Sequence, residues 1–250
     1  MFGRRPFLDP VLQDWHVDCW SWLMRNAGGV ERVRTRPLVL PNRDLLPNSQ
    51  TRDHAYARQL FDTAKRLAGM DDVPLTLAAK AERPDRVSPV HALQHSSRFA
   101  NTLTDNDGVM QISYDPRLLK EPEALVAVLA RELGRCLTSG FAYGMAPPDM
   151  HESAIDVSSI FLGFGVCRAN AAFGFRQFTD FDSQGWSARW LGRLSEPEWA
   201  FGVAMFCALA EQDIETAKQH MKPTLWREVR RAKTVVERDA LAEKAISGIA

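Results

Sequence analysis

Only four of the 250 residues are cysteine (Cys19, Cys136, Cys167 and Cys207), and no two of them form a CxxC pair. Far apart and each inside an apolar run, they read as small buried hydrophobes in a reduced protein, which excludes a disulfide scaffold or a zinc finger. Surplus charge is missing as well, because 31 basic residues meet 31 acidic ones. A dedicated nucleic-acid binder carries a basic excess, so no nucleic-acid partner is expected. The longest nearly charge-free stretch, 157–167, falls well short of the ~20 residues a spanning helix needs, and no membrane partner is expected either. The opening MFGRRPFLDP has two arginines but no apolar core, so the expectation is a cytoplasmic chain without a secretion signal. P-loop, dinucleotide fingerprint and GxSxG elements are absent. So are internal repeats and Gly/Ser linkers, and one domain over 1–250 is expected. What remains is an ordinary globular composition, 45% hydrophobic and 25% charged.

Apolar periodicity predicts a helix over 9–26, stopped by Gly28-Gly29, and a second over 53–68, closed by Gly69. Between them, 37–47 reads as a short extended piece, LVL, between prolines. Residues 73–79 and 109–114 read as strands, and the turn-rich 83–107 as a third strand or an irregular loop. From Pro122 the pattern is helical. One helix spans 122–137, with Pro122 at its first position, and another runs from about 149 to 167. FGFRQFTDF (173–181) reads as a connector to a helix around 187–192. Ser195-Glu196-Pro197-Glu198 has the form of a capping box opening the next helix. Past Asp213 the chain is polar and weakly amphipathic, in the manner of two surface helices. The expected class is α+β, divided into an α/β part (1–120), a central helical part (121–182) and a C-terminal helical part (183–250).

The helix over 122–137 is apolar nearly all round, so its surroundings should be buried. Arg131, Glu132 and Arg135 interrupt it, and the two arginines, four apart, share a face. Two guanidiniums on a buried face require anions. The next apolar helix, HESAIDVSSIFLGFGV, offers Glu152 and Asp156, also four apart. The expectation is an ion-pair cluster in which Arg131 and Arg135 face Glu152 and Asp156, with Glu132 at its margin.

LVAVLARELGRCL resembles the active-site helix of the zinc metallopeptidases, whose HExxH core stands here as Arg131-Glu132-Leu133-Gly134-Arg135. The Glu-x-x-x-Asp of Glu152 and Asp156 is similar to the second helix of the gluzincins. The resemblance covers roughly 109–170 and implies a zincin-like fold. It implies that Glu132 stands at the general-base position, Glu152 at the third zinc ligand and Asp156 at the position that orients a ligand histidine. Both ligand histidines are arginines here, and a guanidinium has no lone pair to give a metal. The reading is therefore a catalytically silent metallopeptidase relative without metal or cofactor, serving a structural or protein-interaction role. The alternatives are an active zinc-dependent hydrolase with other ligands, or a small-molecule-binding module using the vacated cleft.

Other features have ordinary readings. His91 and His95 belong to a turn-rich stretch, His151 to a helix start, and His16 and His54 to early helices. Phe161, Phe164, Phe173, Phe175, Phe178 and Phe181 suit core packing, as do Trp186, Trp190, Trp199 and Trp226, although tryptophans also suit a partner surface. Arg227, Arg230, Arg231 and Lys233, diluted by Glu228 and Glu237, read as a solvated helix face.

Overall fold

Asp9 accepts a hydrogen bond from the Val11 N–H at 3.0 Å and Pro10 takes the first helical position, which fixes the start of α1 (Pro10–Ala27). Gly28 ends it in the left-handed region at φ 99°. The glycine pair thus stops α1 as expected, and a short second helix, α2 (Gly29–Arg34), follows at once. The computed structural model describes residues 6–80, 100–104, 109–141, 150–179 and 193–249.

α3 (His54–Leu67) is capped by Asp53, whose carboxylate accepts from the Tyr56 N–H at 3.1 Å. It leads to a three-stranded mixed sheet of β1 (Leu75–Ala79), β2 (Ala100–Thr104) and β3 (Met110–Tyr114) in the order β1-β3-β2. β1 runs parallel to β3 with Leu77 opposite Ile112, and β2 runs antiparallel to β3 with Thr102 opposite the same residue. The class is α+β, with helix dominating. Residues 37–40 form no strand. They are held by single bonds instead, from the Val39 N–H to the Gly163 carbonyl at 2.9 Å and from the Leu38 N–H to Gln212 at 2.8 Å.

α4 (Pro122–Ser139) lies between two apolar cores. One unites α3, the sheet and α4 through Leu60, Phe61, Ile112, Leu129 and Leu133. The other unites α1 with α7 (Glu196–Leu209), α8 (Pro223–Arg238) and α9 (Leu241–Ser247). Leu137 packs against both.

The helix expected from about 149 to 167 is divided. α5 (His151–Ser159) passes through a π-helical turn at Ile160–Phe164 into α6 (Gly165–Thr179). Gly163 makes the break at φ 95°, where a side-chain carbon would fall 2.3 Å from the Pro37 carbonyl oxygen. Helix therefore continues to 179 through most of the expected connector. The helix expected around 187–192 lies outside the described residues.

Ser195 opens α7 with its N–H and hydroxyl both donating to Glu198, at 2.8 and 2.6 Å. The C-terminal helices are not the weakly amphipathic surface pair that composition suggested. α8 buries Leu225, Trp226, Val229, Ala232 and Val236 in one stripe, and its charges occupy the opposite face. Among the described residues, no helix is long and apolar enough to cross a membrane.

Candidate functional site: a buried arginine and carboxylate cluster

α4 and α5 touch backbone to backbone at Gly134. A side-chain carbon there would lie 2.5 Å from Ser158 Oγ and 3.0 Å from the Ile155 carbonyl oxygen. That approach places Arg131 and Arg135, on either side of the glycine, against the first turns of α5.

Arg131 Nε donates to Asp156 Oδ1 at 2.9 Å, and its Nη2 donates to Glu152 Oε2 at 2.5 Å. Arg135 holds both oxygens of Glu152, Nη1 to Oε1 and Nη2 to Oε2, each at 3.2 Å. This parallel pair is the fork geometry that favours arginine over lysine. Arg135 turns to Glu132 rather than Asp156, its Nε 3.3 Å from Oε2, while Arg131 Nη1 stands 3.9 Å from Glu132 Oε1. Glu132 is 1% exposed and sits beneath the two cations rather than at an open margin.

A third cation completes the cluster, and the sequence reading missed it. Arg168, fully buried on α6, donates from Nη2 to Asp156 Oδ1 at 2.7 Å and from Nη1 to the Ala127 carbonyl at 3.1 Å. Its guanidinium lies 5.0 Å over the Trp199 ring. The Arg193 N–H donates to the other Asp156 oxygen at 2.5 Å. Three guanidiniums thus meet three carboxylates. Arg168 could have been suspected as a lone charge in the apolar run VCRAN, since Arg131 and Arg135 leave Glu132 unmatched once Glu152 and Asp156 are taken.

Burial by itself would raise the Glu152 carboxyl. The hydrogen bonds from Arg135 and the charge and hydrogen bond of Arg131 outweigh it and hold the group at about 2. Burial would likewise lower Arg131, but Asp156 and Glu152 reverse this and raise it above the usual arginine value. Arg168 is the exception. Burial lowers it to about 10, Asp156 opposes that shift and the like charge of Arg131 adds to it. Arg131 and Arg168 both stay charged at neutral pH.

The zinc that the resemblance implies does not fit this donor set. Both Glu152 oxygens are engaged by guanidiniums, and the two positions facing it offer N–H donors without lone pairs. Among the described residues, no group of three or more His, Cys, Asp or Glu side chains is placed to hold a metal.

The remaining candidates lie elsewhere. His151 opens α5 next to Glu152 and takes no part in the cluster. His16 is buried with Nε2 3.4 Å from Glu198 Oε1, and His54 Nδ1 lies 3.1 Å from the Tyr114 hydroxyl with the rings stacked. Phe161, Phe164, Trp199 and Trp226 are buried. His91, His95, Trp186, Trp190, Phe181 and the side chains of Phe173, Phe175 and Phe178 lie outside the described residues. All four cysteines are buried free thiols, and burial pushes those of Cys167 and Cys207 up to about 12, as expected of unreactive core residues. The basic run on α8 faces solvent, with Arg231 paired to Glu228 and Lys233 to Glu237. No family model matches the chain, and no curated protein or solved structure matches it either.

Proposed function

We propose that this chain is a catalytically silent relative of the gluzincin metallopeptidases, one zincin-like domain acting in the cytoplasm as a structural or protein-interaction module. In this reading the arginine and carboxylate cluster takes the structural place of the metal and clamps α4 to α5. One observation carries the proposal: both guanidiniums at the former histidine positions converge on Glu152, the residue at the third-ligand position. Two neutral histidines around a zinc ion present two positive charges to that carboxylate, and two arginines present the same two. Glu132, at the former general-base position, is buried against the same two cations.

The test is metal content and its reversal. Purified protein is expected to hold zinc well below one equivalent and to lack chelator-sensitive peptidase activity. Arg131→His combined with Arg135→His should create a site of two nitrogens and one carboxylate, with the fourth position left to water. Stoichiometric zinc with activity in the unaltered protein would overturn the silent reading. A folded double variant with no gain in zinc affinity would overturn the inherited geometry.

A further inference from the structure

Two guanidiniums converge on one backbone oxygen at the end of α3, away from the α4–α5 cluster. Arg32 of α2 donates to the Gly69 carbonyl at 2.8 Å, and Arg36 donates to the same oxygen over 3.5 Å. Arg36 is 6% exposed, and its buried Nε has no acceptor. Its guanidinium packs directly against Gly69, where a side-chain carbon would fall 1.6 Å from Nη1. Among the described residues, neither arginine has a carboxylate within ion-pair distance; Glu31 and Glu211 engage Arg34 instead. Asp71 favours the Arg36 charge only from longer range. Lys65 adds a third cation, its Nζ donating to the Asp71 carbonyl at 3.0 Å.

Capping of α3 accounts for part of this arrangement, since cations suit a helix C-terminus. It does not account for the amount of charge. The C-terminal end of a helix dipole is equivalent to about half a negative charge, against two full positive ones here. Of the three buried arginines among the described residues, Arg131 and Arg168 face carboxylates and Arg36 does not. A buried charge without a counter-charge is unfavourable, and this one has a second cation beside it. Burial and the charge of Arg32 together push the Arg36 guanidinium down to about 10.

We propose that Arg32 and Arg36 form a binding site for an oxyanion, a phosphate or carboxylate group, between α2 and the C-terminal end of α3. Arginine donors suit the planar edge of either group. The site is independent of the zincin reading, as none of its residues touches the α4–α5 cluster.

The probes are inorganic phosphate and acetate, titrated into the whole chain at constant ionic strength and followed by calorimetry and melting temperature. Saturable binding of at least one anion is expected, with a matching rise in melting temperature. Arg36→Gln and Arg32→Gln should each weaken it tenfold or more, and Arg36→Lys, which keeps the charge, should weaken it less. Tighter phosphate binding assigns the site to a phosphoryl group, and acetate binding of equal strength assigns it to a carboxylate. The proposal fails if neither anion binds saturably, or if binding survives both glutamine substitutions. Should Arg36→Gln not fold, the unaltered chain and Arg32→Gln decide it.

Discussion

Arg168 donates to Asp156 at a point where neither side chain reaches solvent. Asp156 also accepts from Arg131 and from the Arg193 N–H, so one carboxylate is shared by two buried guanidiniums and a backbone donor. Asp156→Ala should therefore cost about 3–5 kcal/mol, the range for stranding a buried charge. Glu152 keeps 22% side-chain exposure, and Glu152→Ala should cost about 2 kcal/mol, as for losing hydrogen bonds to charged groups. Urea unfolding of the two variants ranks them, and a larger loss for Glu152→Ala would contradict this assignment of Asp156 as the centre.

Arg135 and Glu152 share two parallel hydrogen bonds, so their deletions should not add. A double-mutant cycle on Arg135→Ala and Glu152→Ala is expected to return a coupling of roughly 0.5–3 kcal/mol. Strict additivity in denaturant would mean that the fork does not exist in solution.

The depressed Glu152 carboxyl sets a direction in pH. A group held at about 2 against an ordinary 4.5 contributes fully above the upper value and loses its contribution as pH falls toward the lower one. Glu152→Gln removes the charge and nearly keeps the shape. The gap in urea midpoint between it and the unaltered protein should be widest near neutral pH and close progressively below pH 4.5. A gap that stays constant across that window would remove Glu152 from the acid response.

Gly134 allows the two helices to touch, and a methyl group there meets Ser158 Oγ and the α5 backbone. Gly134→Ala is expected to destabilise by about 1–3 kcal/mol through overpacking. Adding Ser158→Ala, which removes the nearest contact, should recover part of the loss in thermal unfolding. An unchanged midpoint in the single variant would show that α4 and α5 separate without cost.

The sequence was most legible where charge and periodicity spoke together. Arg131 and Arg135 on one apolar helix, and Glu152 and Asp156 on the next, pointed to their meeting because a buried charge requires a counter-charge at a fixed helical spacing. Arg168 escaped because its partner lies across a π-helical turn, and a left-handed glycine such as Gly163 leaves no periodic signature. The Arg193 N–H escaped for a plainer reason, since a backbone donor carries no residue type to read. α8 was misjudged because only five of its sixteen residues are buried, and the charged residues around them lower the mean hydropathy without breaking the apolar stripe. The α4 helix itself was read well from Pro122, Glu123 and an apolar run on both faces.

The two halves of the chain hold unequal shares of the cluster. Residues up to 141 supply Arg131, Arg135 and Glu132, a surplus of one positive charge, and residues from 150 supply Glu152, Asp156 and Arg168, a surplus of one negative. The first half also lends α1 to the core that the second half builds. A chain cut between 141 and 150 would yield two fragments, each with unmatched charge and a missing wall, and each attracted to the other. Their complementation should slow as added salt screens the exposed charges of the separated pieces, while the rejoined pair, with those charges buried, responds to salt far less.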